Sequence, residues 1–392
     1  MDPPTSGDAS VLWPLAPRYD FSSSPMIVGS VDAADLESEI DSNFWRSARW
    51  CSDGSAILTN TEDRSLRIHT PSEARSGTFV TQTYEQPDAI HSTLWYPSAS
   101  VSSPPTFCFM ASIRDTPVRL IDASDGHTRA TYPIVDHRER FIAPYSMAFN
   151  STSSKLYCGY ESAIEVFDIA NPGHNTSERL KTAFTKRDKG GQKGIISALA
   201  FSSDYSGTFA AGSFSGSASL YSEDTGATPV AHFDGVHRGG VTQLAFHPLN
   251  PQMVFVASRR SQEIQVFDIR DLSEPNGTIR VWDIATSGSP EAIFDENLHD
   301  DAVGSVQFHP SQPLLLSCAG SRAYLDSDGS IADSSGEMSD DSSSDSAVSE
   351  DYWSMRVKSS ESTKVIDATL KVWSLAPSTA TSSQHEQTAT QS

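Results

Sequence analysis

Four cations crowd one short run in the middle of the chain. Lys186, Arg187, Lys189 and Lys193 lie in Lys-Arg-Asp-Lys-Gly-Gly-Gln-Lys. Ammonium and guanidinium groups at that density suit the phosphates of a polyanion, because each phosphate neutralised releases condensed counterions. Arg138 and Arg140 make a second knot in His-Arg-Glu-Arg. Arg238 follows His237, and Arg259 and Arg260 are adjacent. These nine residues are the candidate contacts to a nucleic acid. Each is also readable as an ordinary polar residue of a solvated loop.

Other chemistries find little support. Gly190-Gly-Gln-Lys-Gly194 lacks the strand–loop–helix setting of a phosphate loop. The four cysteines, Cys51, Cys108, Cys158 and Cys318, sit far apart in apolar runs without metal-ligand spacing. They read as buried, reduced thiols. His247 and His309 each precede a proline and belong to turns. His237 and His299 fall just before apolar strands, where a histidine can hydrogen-bond toward a turn aspartate. No nucleophile–base arrangement stands out. The expectation is a protein that is not an enzyme, with no cofactor, no metal and no small-molecule substrate.

The elements that carry these loops are strands. Runs at 46–51, 56–60 and 66–70 alternate in period two, and the same grammar returns at 145–149, 156–160 and 164–169. It returns again at 195–201, 208–213 and 218–221, at 241–246, 253–258 and 264–269, and at 304–308 with 314–318. The best-formed copy is residues 278–284, Thr-Ile-Arg-Val-Trp-Asp-Ile, whose Trp282-Asp283 ending marks the third strand of a propeller blade. Aligning the others on Trp282 gives seven slots: His69, Ile121, Phe167, Tyr221, Phe267, Trp282 and Trp373. The expected fold is therefore all-β, a WD40 β-propeller, seven-bladed by design. Phe267 and Trp282 stand too close for the strands that should separate them. Blade six is expected to be incomplete, as if roughly 30 residues had been removed between Pro275 and Asn276.

Charge divides the chain. Net charge is −22, with 37% hydrophobic and 20% charged residues, and 1–41 and 322–351 together account for −15 of it. The expected organisation follows. Residues 1–40 are a disordered acidic arm in which 25–29 are a possible closing strand. Residues 41–321 are the propeller, 322–364 a disordered acidic, Ser-rich insertion, 365–376 a strand of the last blade, and 377–392 a disordered tail. No signal peptide and no run of about 18 apolar residues appears, so no membrane association is expected. The glycosylation triplets at Asn150, Asn175 and Asn276 then read as incidental.

Several segments resemble one family. Phe44-Trp-Arg-Ser-Ala-Arg-Trp-Cys-Ser-Asp-Gly, with Leu66-Arg-Ile, is similar to the first blade of the telomerase Cajal-body WD-repeat proteins. So are Leu156-Tyr-Cys-Gly-Tyr, Gly194-Ile-Ile-Ser-Ala-Leu-Ala-Phe-Ser, His237-Arg-Gly-Gly-Val-Thr and Val306-Gln-Phe-His-Pro-Ser. The resemblance covers about residues 43–322, and departs where the family carries a full sixth blade. It implies a nuclear, RNA-binding scaffold of the telomerase RNP and Cajal body. Its partners would be small nuclear RNA of the box H/ACA and telomerase-RNA class, together with RNP proteins. Fungal relatives are tied instead to splicing, which leaves open a protein–protein scaffold linked to the spliceosome with no direct RNA contact.

In a propeller, loops from an outer strand to the next inner strand share a face with loops from second to third strand. Arg138, Arg140, Lys186, Arg187, Lys189, Lys193 and Arg238 belong to the first class, and Arg259 and Arg260 to the second. The acidic insertion belongs to the second class too. It is expected on the same face, where it would compete with RNA; Ser334-X-X-Glu and Ser342-X-X-Asp would add charge if phosphorylated.

Overall fold

The computed structural model describes residues 17–36, 38, 40, 42–72, 77–174, 176–183, 191–233, 236, 239–259, 261, 264–270, 298–321, 323–324 and 363–376. Strand β1 (Met26–Asp32) comes first, followed by a 3-10 turn at Ala33–Asp35. Blade one is β2 (Trp45–Trp50), β3 (Ile57–Thr61), β4 (Ser65–Pro71) and β5 (Phe79–Glu85). Blade two is β6 (Ile90–Trp95), β7 (Cys108–Ile113), β8 (Val118–Asp122) and β9 (Thr128–Tyr132). Blade three is β10 (Ser146–Phe149), β11 (Lys155–Tyr160), β12 (Ala163–Asp168) and β13 (Ser177–Lys181). Blade four is β14 (Ile196–Phe201), β15 (Thr208–Ser213), β16 (Ala218–Ser222) and β17 (Ala231–His232). Blade five has three strands among the described residues, β18 (Val241–Phe246), β19 (Met253–Ser258) and β20 (Ile264–Asp268).

The last blade mixes both parts of the chain. Its inner strands are β21 (Val303–Phe308) and β22 (Leu314–Ala319). A short ribbon, β23 (Ala323–Tyr324) against β24 (Thr363–Lys364), then leaves the sheet and returns to β25 (Thr369–Ser374). β1 adds outside β25, giving the order β1-β25-β22-β21. The acidic arm is thus ordered over Met26–Asp35, and the insertion is paired at both of its ends. The rest of the expected insertion, 325–362, and the tail from 377 lie outside the described residues.

The core sits between blades. Period-two alternation gives each sheet two faces, and each apolar cluster is made by the facing sides of neighbours. Leu58, Leu66 and Ile68 of blade one meet Phe109, Ile113 and Ile121 of blade two. Met110 and Tyr132 meet Leu156 and Phe167. Ile164 meets Phe209 and Tyr221. Ala210 and Leu220 meet Val254 and Phe267. Trp45, Ala48 and Ile57 meet Leu316, Leu370 and Val372, which joins the last blade to blade one. Each Leu, Ile or Phe so buried contributes about 1.5–3 kcal/mol. The third-strand residues aligned on Trp282 lie at the centre of this packing: His69, Ile121, Phe167, Tyr221, Phe267 and Trp373 are all buried.

Six blades stand among the described residues, which corrects the expectation of seven. The reason is chain length. β20 ends at Asp268 and β21 begins at Val303, so 269–302 is shorter than the about 40–45 residues of a blade. The expected strand at 278–284, with Trp282, lies outside the described residues. Blade five and the last blade share no apolar cluster among the described residues. The side of the last blade turned away from blade one instead packs Leu315, Trp373 and Leu375 against Tyr19, Phe21 and Leu298. Tyr19 also meets Phe308 edge-on at 4.9 Å. This cover is partial, since Val303 (52% exposed) and Val306 (57%) remain open to solvent.

Candidate nucleic-acid interface

One hydrogen bond recurs at the same end of the blades. The amide after the second strand donates to the carbonyl just ahead of the inner strand. The pairs are Glu62–Phe44 (3.0 Å), Arg114–Ala89 (3.0 Å), Phe214–Ile195 (3.0 Å), Arg259–Gly240 (2.8 Å) and Gly320–Ala302 (3.0 Å). The two loop classes therefore share one face.

The cations singled out in the sequence meet different fates. Arg138 and Arg140 occupy a turn between β9 and β10 that is folded around Asp136. Its carboxylate accepts the amides of Arg138 (2.7 Å) and Arg140 (2.9 Å) and the Arg140 Nε (2.9 Å). These bonds, the Arg140 amide first, hold the Asp136 carboxyl down to about 2. The charge of Arg140 is thus partly answered within its own loop. Lys193 stands at the foot of the densest cluster. Its carbonyl accepts the hydroxyls of Ser213 (2.6 Å) and Ser215 (2.8 Å), and Gly194 follows at φ +81°, where a Cβ would lie 2.9 Å from Ser213 Oγ. Arg259 is exposed, with its guanidinium 4.5 Å from the Phe214 ring centroid. Lys186, Arg187, Lys189, Arg238 and Arg260 lie outside the described residues.

Gln192, within the same cluster, is buried. Its amide nitrogen donates to the carbonyls of Ala211 (2.8 Å) and Ser217 (3.1 Å), and its oxygen accepts the Tyr221 hydroxyl (3.0 Å). Gln192 is therefore a bracket that fastens its own segment to β15, β16 and the turn between them.

The structure adds aromatic residues that the sequence did not point to. Tyr145 stacks on His91, with centroids 4.5 Å apart and planes 13° from parallel, and meets Phe214 edge-on at 6.3 Å. Burial lowers the His91 pKa, the Ala143 backbone opposes that shift, and Arg114 and Arg46 add to it. The ring is therefore neutral near pH 7. Among the described residues its buried Nδ1 has no hydrogen-bond partner. Arg46, His91, Tyr145, Phe214 and Arg259 form a row of cations and rings across blades one to five. The available signal was the position of each residue at the entrance of an inner strand or in a second-to-third-strand turn.

His299 and His309 make structural contacts, while His237 lies outside the described residues. His299 Nδ1 lies 3.0 Å from Asp367 and Nε2 lies 2.7 Å from Ser317, whose hydroxyl accepts the Trp373 indole at 2.7 Å. His309 Nε2 reaches the Gly54 carbonyl at 3.2 Å. Asp122, Asp125 and His127 group together at the β8–β9 turn, but Arg129 already engages Asp122 through Nε (2.8 Å) and Nη2 (2.5 Å).

Blades of this construction, with a His–Ser–Trp–Asp link in the last one, define a WD-repeat β-propeller. Residues 289–331 match the family described as WD domain, G-beta repeat. The chain is similar, at about 30% identity over about four fifths of its length, to WD-repeat proteins named Telomerase Cajal body protein 1. It is 31% identical to the Bos taurus protein of that name over 350 residues, 78% of this chain and 63% of that one. It is 30% identical to the Homo sapiens protein over 366 residues, 82% of this chain and 64% of that one. The chain thus spans under two thirds of the length of these relatives. It is also 30% identical, over 244 residues, to the Guanine nucleotide-binding protein negative regulator 1 of Schizosaccharomyces pombe, which covers 58% of this chain and 60% of that protein.

Proposed function

We propose that the chain is a nuclear, non-enzymatic scaffold of a small ribonucleoprotein, as the name of its mammalian relatives suggests. On this reading it binds small nuclear RNA of the box H/ACA or telomerase-RNA class and holds the protein partners of that particle. The observation that carries it is the gathering of cations at one end of the propeller. Arg46, Arg114, Lys193 and Arg259, and the Arg138–Arg140 turn, all stand where outer strands feed inner strands or second strands feed third. Lys186, Arg187 and Lys189 adjoin Lys193, and Arg238 and Arg260 adjoin the same loops in sequence. With both acidic segments set aside, the remaining chain is only mildly acidic. Local positive charge then governs phosphate binding.

Charge reversal at Lys186, Arg187, Lys189 and Lys193 tests it. Crosslinking to a labelled stem-loop RNA should collapse. On single-stranded RNA the salt dependence should flatten by about 0.7 in log–log slope for each phosphate that is no longer neutralised. Crosslinking that persists unchanged would remove the RNA from this face.

A second reading is favoured by the fungal relative, whose name describes regulation of a protein. On it, the same face docks a protein and no RNA. Wild-type chain would then fail to crosslink to RNA at any salt.

A further inference from the structure

Five of the six inner strands carry an irregularity at the same place. The register slips between Trp45 and Ser47, Ile90 and Ser92, Ile196 and Ala198, Val241 and Gln243, and Val303 and Ser305. In blade three the pairing opens at Ser146 opposite Gly159, and the Tyr145 amide donates to the Gly159 carbonyl at 2.9 Å, which puts Tyr145 in the same slot. A β-bulge adds one residue to a strand and re-aims its side chain, and bulges collect beside functional sites. The six slots are Arg46, His91, Tyr145, Ser197, Thr242 and Gly304.

They are filled unevenly. Blades one to three carry a cation and two rings. Blades four to six carry small residues occupied with backbone: Ser197 donates to the Val241 carbonyl at 2.5 Å, and Thr242 to that of Ala257 at 3.2 Å. At Gly304 a Cβ would lie 2.9 Å from the Arg46 carbonyl. On the far side of Tyr145, the ring–cation sequence continues through Phe214 to Arg259. Tyr145 is 40% exposed although a ring already lies against one of its faces. Beside it the His91 Nδ1 has no hydrogen-bond partner among the described residues.

Resting on the RNA reading above, we propose that this arc holds an unpaired nucleotide, its base stacked on Tyr145 and its flanking phosphates held by Arg46 and Arg259. Rings give a stacking surface for any base, cations flank it for the backbone, and only a single-stranded segment can present its base faces. A duplex keeps its bases stacked and reaches the same face through phosphates alone. The site is then a selector of single-stranded over paired RNA, distinct in its chemistry from the Lys186–Lys193 cluster.

The experiment is fluorescence anisotropy with a labelled RNA of about a dozen nucleotides, single-stranded and annealed to its complement. It compares wild-type chain, Tyr145→Ala, Tyr145→Phe and Phe214→Ala. Tyr145→Ala should weaken single-strand binding by roughly 5- to 100-fold, the range of one stacked base. Duplex binding and the salt slope should stay unchanged, and Tyr145→Phe should bind as wild type. Should Tyr145→Ala fail to keep the wild-type melting curve, Phe214→Ala decides, with the same selective loss expected. Single-strand affinity unchanged in the alanine variants, or loss of single strand and duplex in equal measure, would overturn the arc while leaving the RNA reading standing. A wild-type chain that binds neither probe, or whose Tyr145→Ala variant loses a protein partner instead, would overturn both.

Discussion

His299 and Asp367 are separated by 68 positions in sequence and meet at 3.0 Å. Between them the chain completes β21 and β22 and makes its acidic excursion. The Asp367 carboxylate also accepts the amide of Asp300 (3.1 Å) and the amide (3.0 Å) and hydroxyl (2.5 Å) of Thr369. Burial works against its charge, yet these bonds and His299 hold its pKa down to about 2. The pair clasps the run-in to β21 onto the returning end of the excursion. Asp367→Ala leaves the buried His299 and the Asp300 amide without their acceptor. The expected cost is about 1–3 kcal/mol, read as a lowered urea midpoint with unchanged slope. A midpoint equal to wild type would show that the clasp adds nothing to stability.

Two histidines set an acid limit. Burial, with Arg67 as a second cause, pushes His69 from 6.5 to about 3. Both its ring nitrogens are engaged, by Thr59 at 2.9 Å and Thr81 at 2.8 Å. Burial also lowers His299, despite the opposing pull of Asp367. A folded pKa below the unfolded one means that the unfolded chain binds more protons in the interval between them. The stability these rings contribute is full above about 6.5 and is lost as pH falls from there toward about 3. Urea midpoints should be flat above pH 7 and fall steadily from pH 6.5 to pH 4. His69→Gln should lessen that slope, and an unaltered slope would assign the acid sensitivity elsewhere.

Arg67 and Asp63 form a buried ion pair at 2.6 Å, 1% and 6% exposed. Asp63 also ties blade one together through Asn43 (2.9 Å) and the Ser65 amide (3.1 Å). Arg67→Met strands a buried carboxylate and should cost about 3–5 kcal/mol. The double variant Arg67→Met/Asp63→Asn should recover most of it, since removing both charges also removes their desolvation. Equal losses in the single and double variants would refute the pairing argument.

All four cysteines are buried, and burial raises each thiol pKa, most strongly at Cys158. The thiolate is the reactive form. The native chain at pH 8 should therefore react with a disulfide reagent far more slowly than the urea-unfolded chain, in which all four titrate together. A fast thiol in the native state would point to local opening of its strand.

The strands were legible because alternation and turn residues are local properties. The inner strand of blade four, 195–201 in sequence, is Ile196–Phe201 in the structure, and Thr208–Ser213 and Met253–Ser258 coincide with the reading. Blade two was seen only through Ile121, and His91 was missed with its strand, because Ile-His-Ser-Thr-Leu-Trp alternates weakly. Bulges escaped for a stronger reason. Whether two residues oppose one depends on the partner strand, and nothing in Tyr145 or Arg46 alone announces it. The role of Gln192 was not visible in sequence because its partners lie 19 to 29 positions away. The blade count misled because the slot series counted Trp282, while the stretch around it is too short to bring the remaining strands.

The last sheet is built from both parts of the chain, and this fixes how the ring yields to force. β1 and β25 run antiparallel, with Met26 opposite Ser374 and Asp32 opposite Thr369. The chain enters β1 and leaves β25 at the same end of the ladder, beside the Asp20 amide to Leu375 carbonyl bond of 2.9 Å. Tension applied to the two termini therefore peels that ladder one bond at a time instead of shearing all its bonds together. In a pulling experiment the propeller should open first at this seam, at low force, carrying Tyr19 and Phe21 away from Trp373 before any other blade is disturbed.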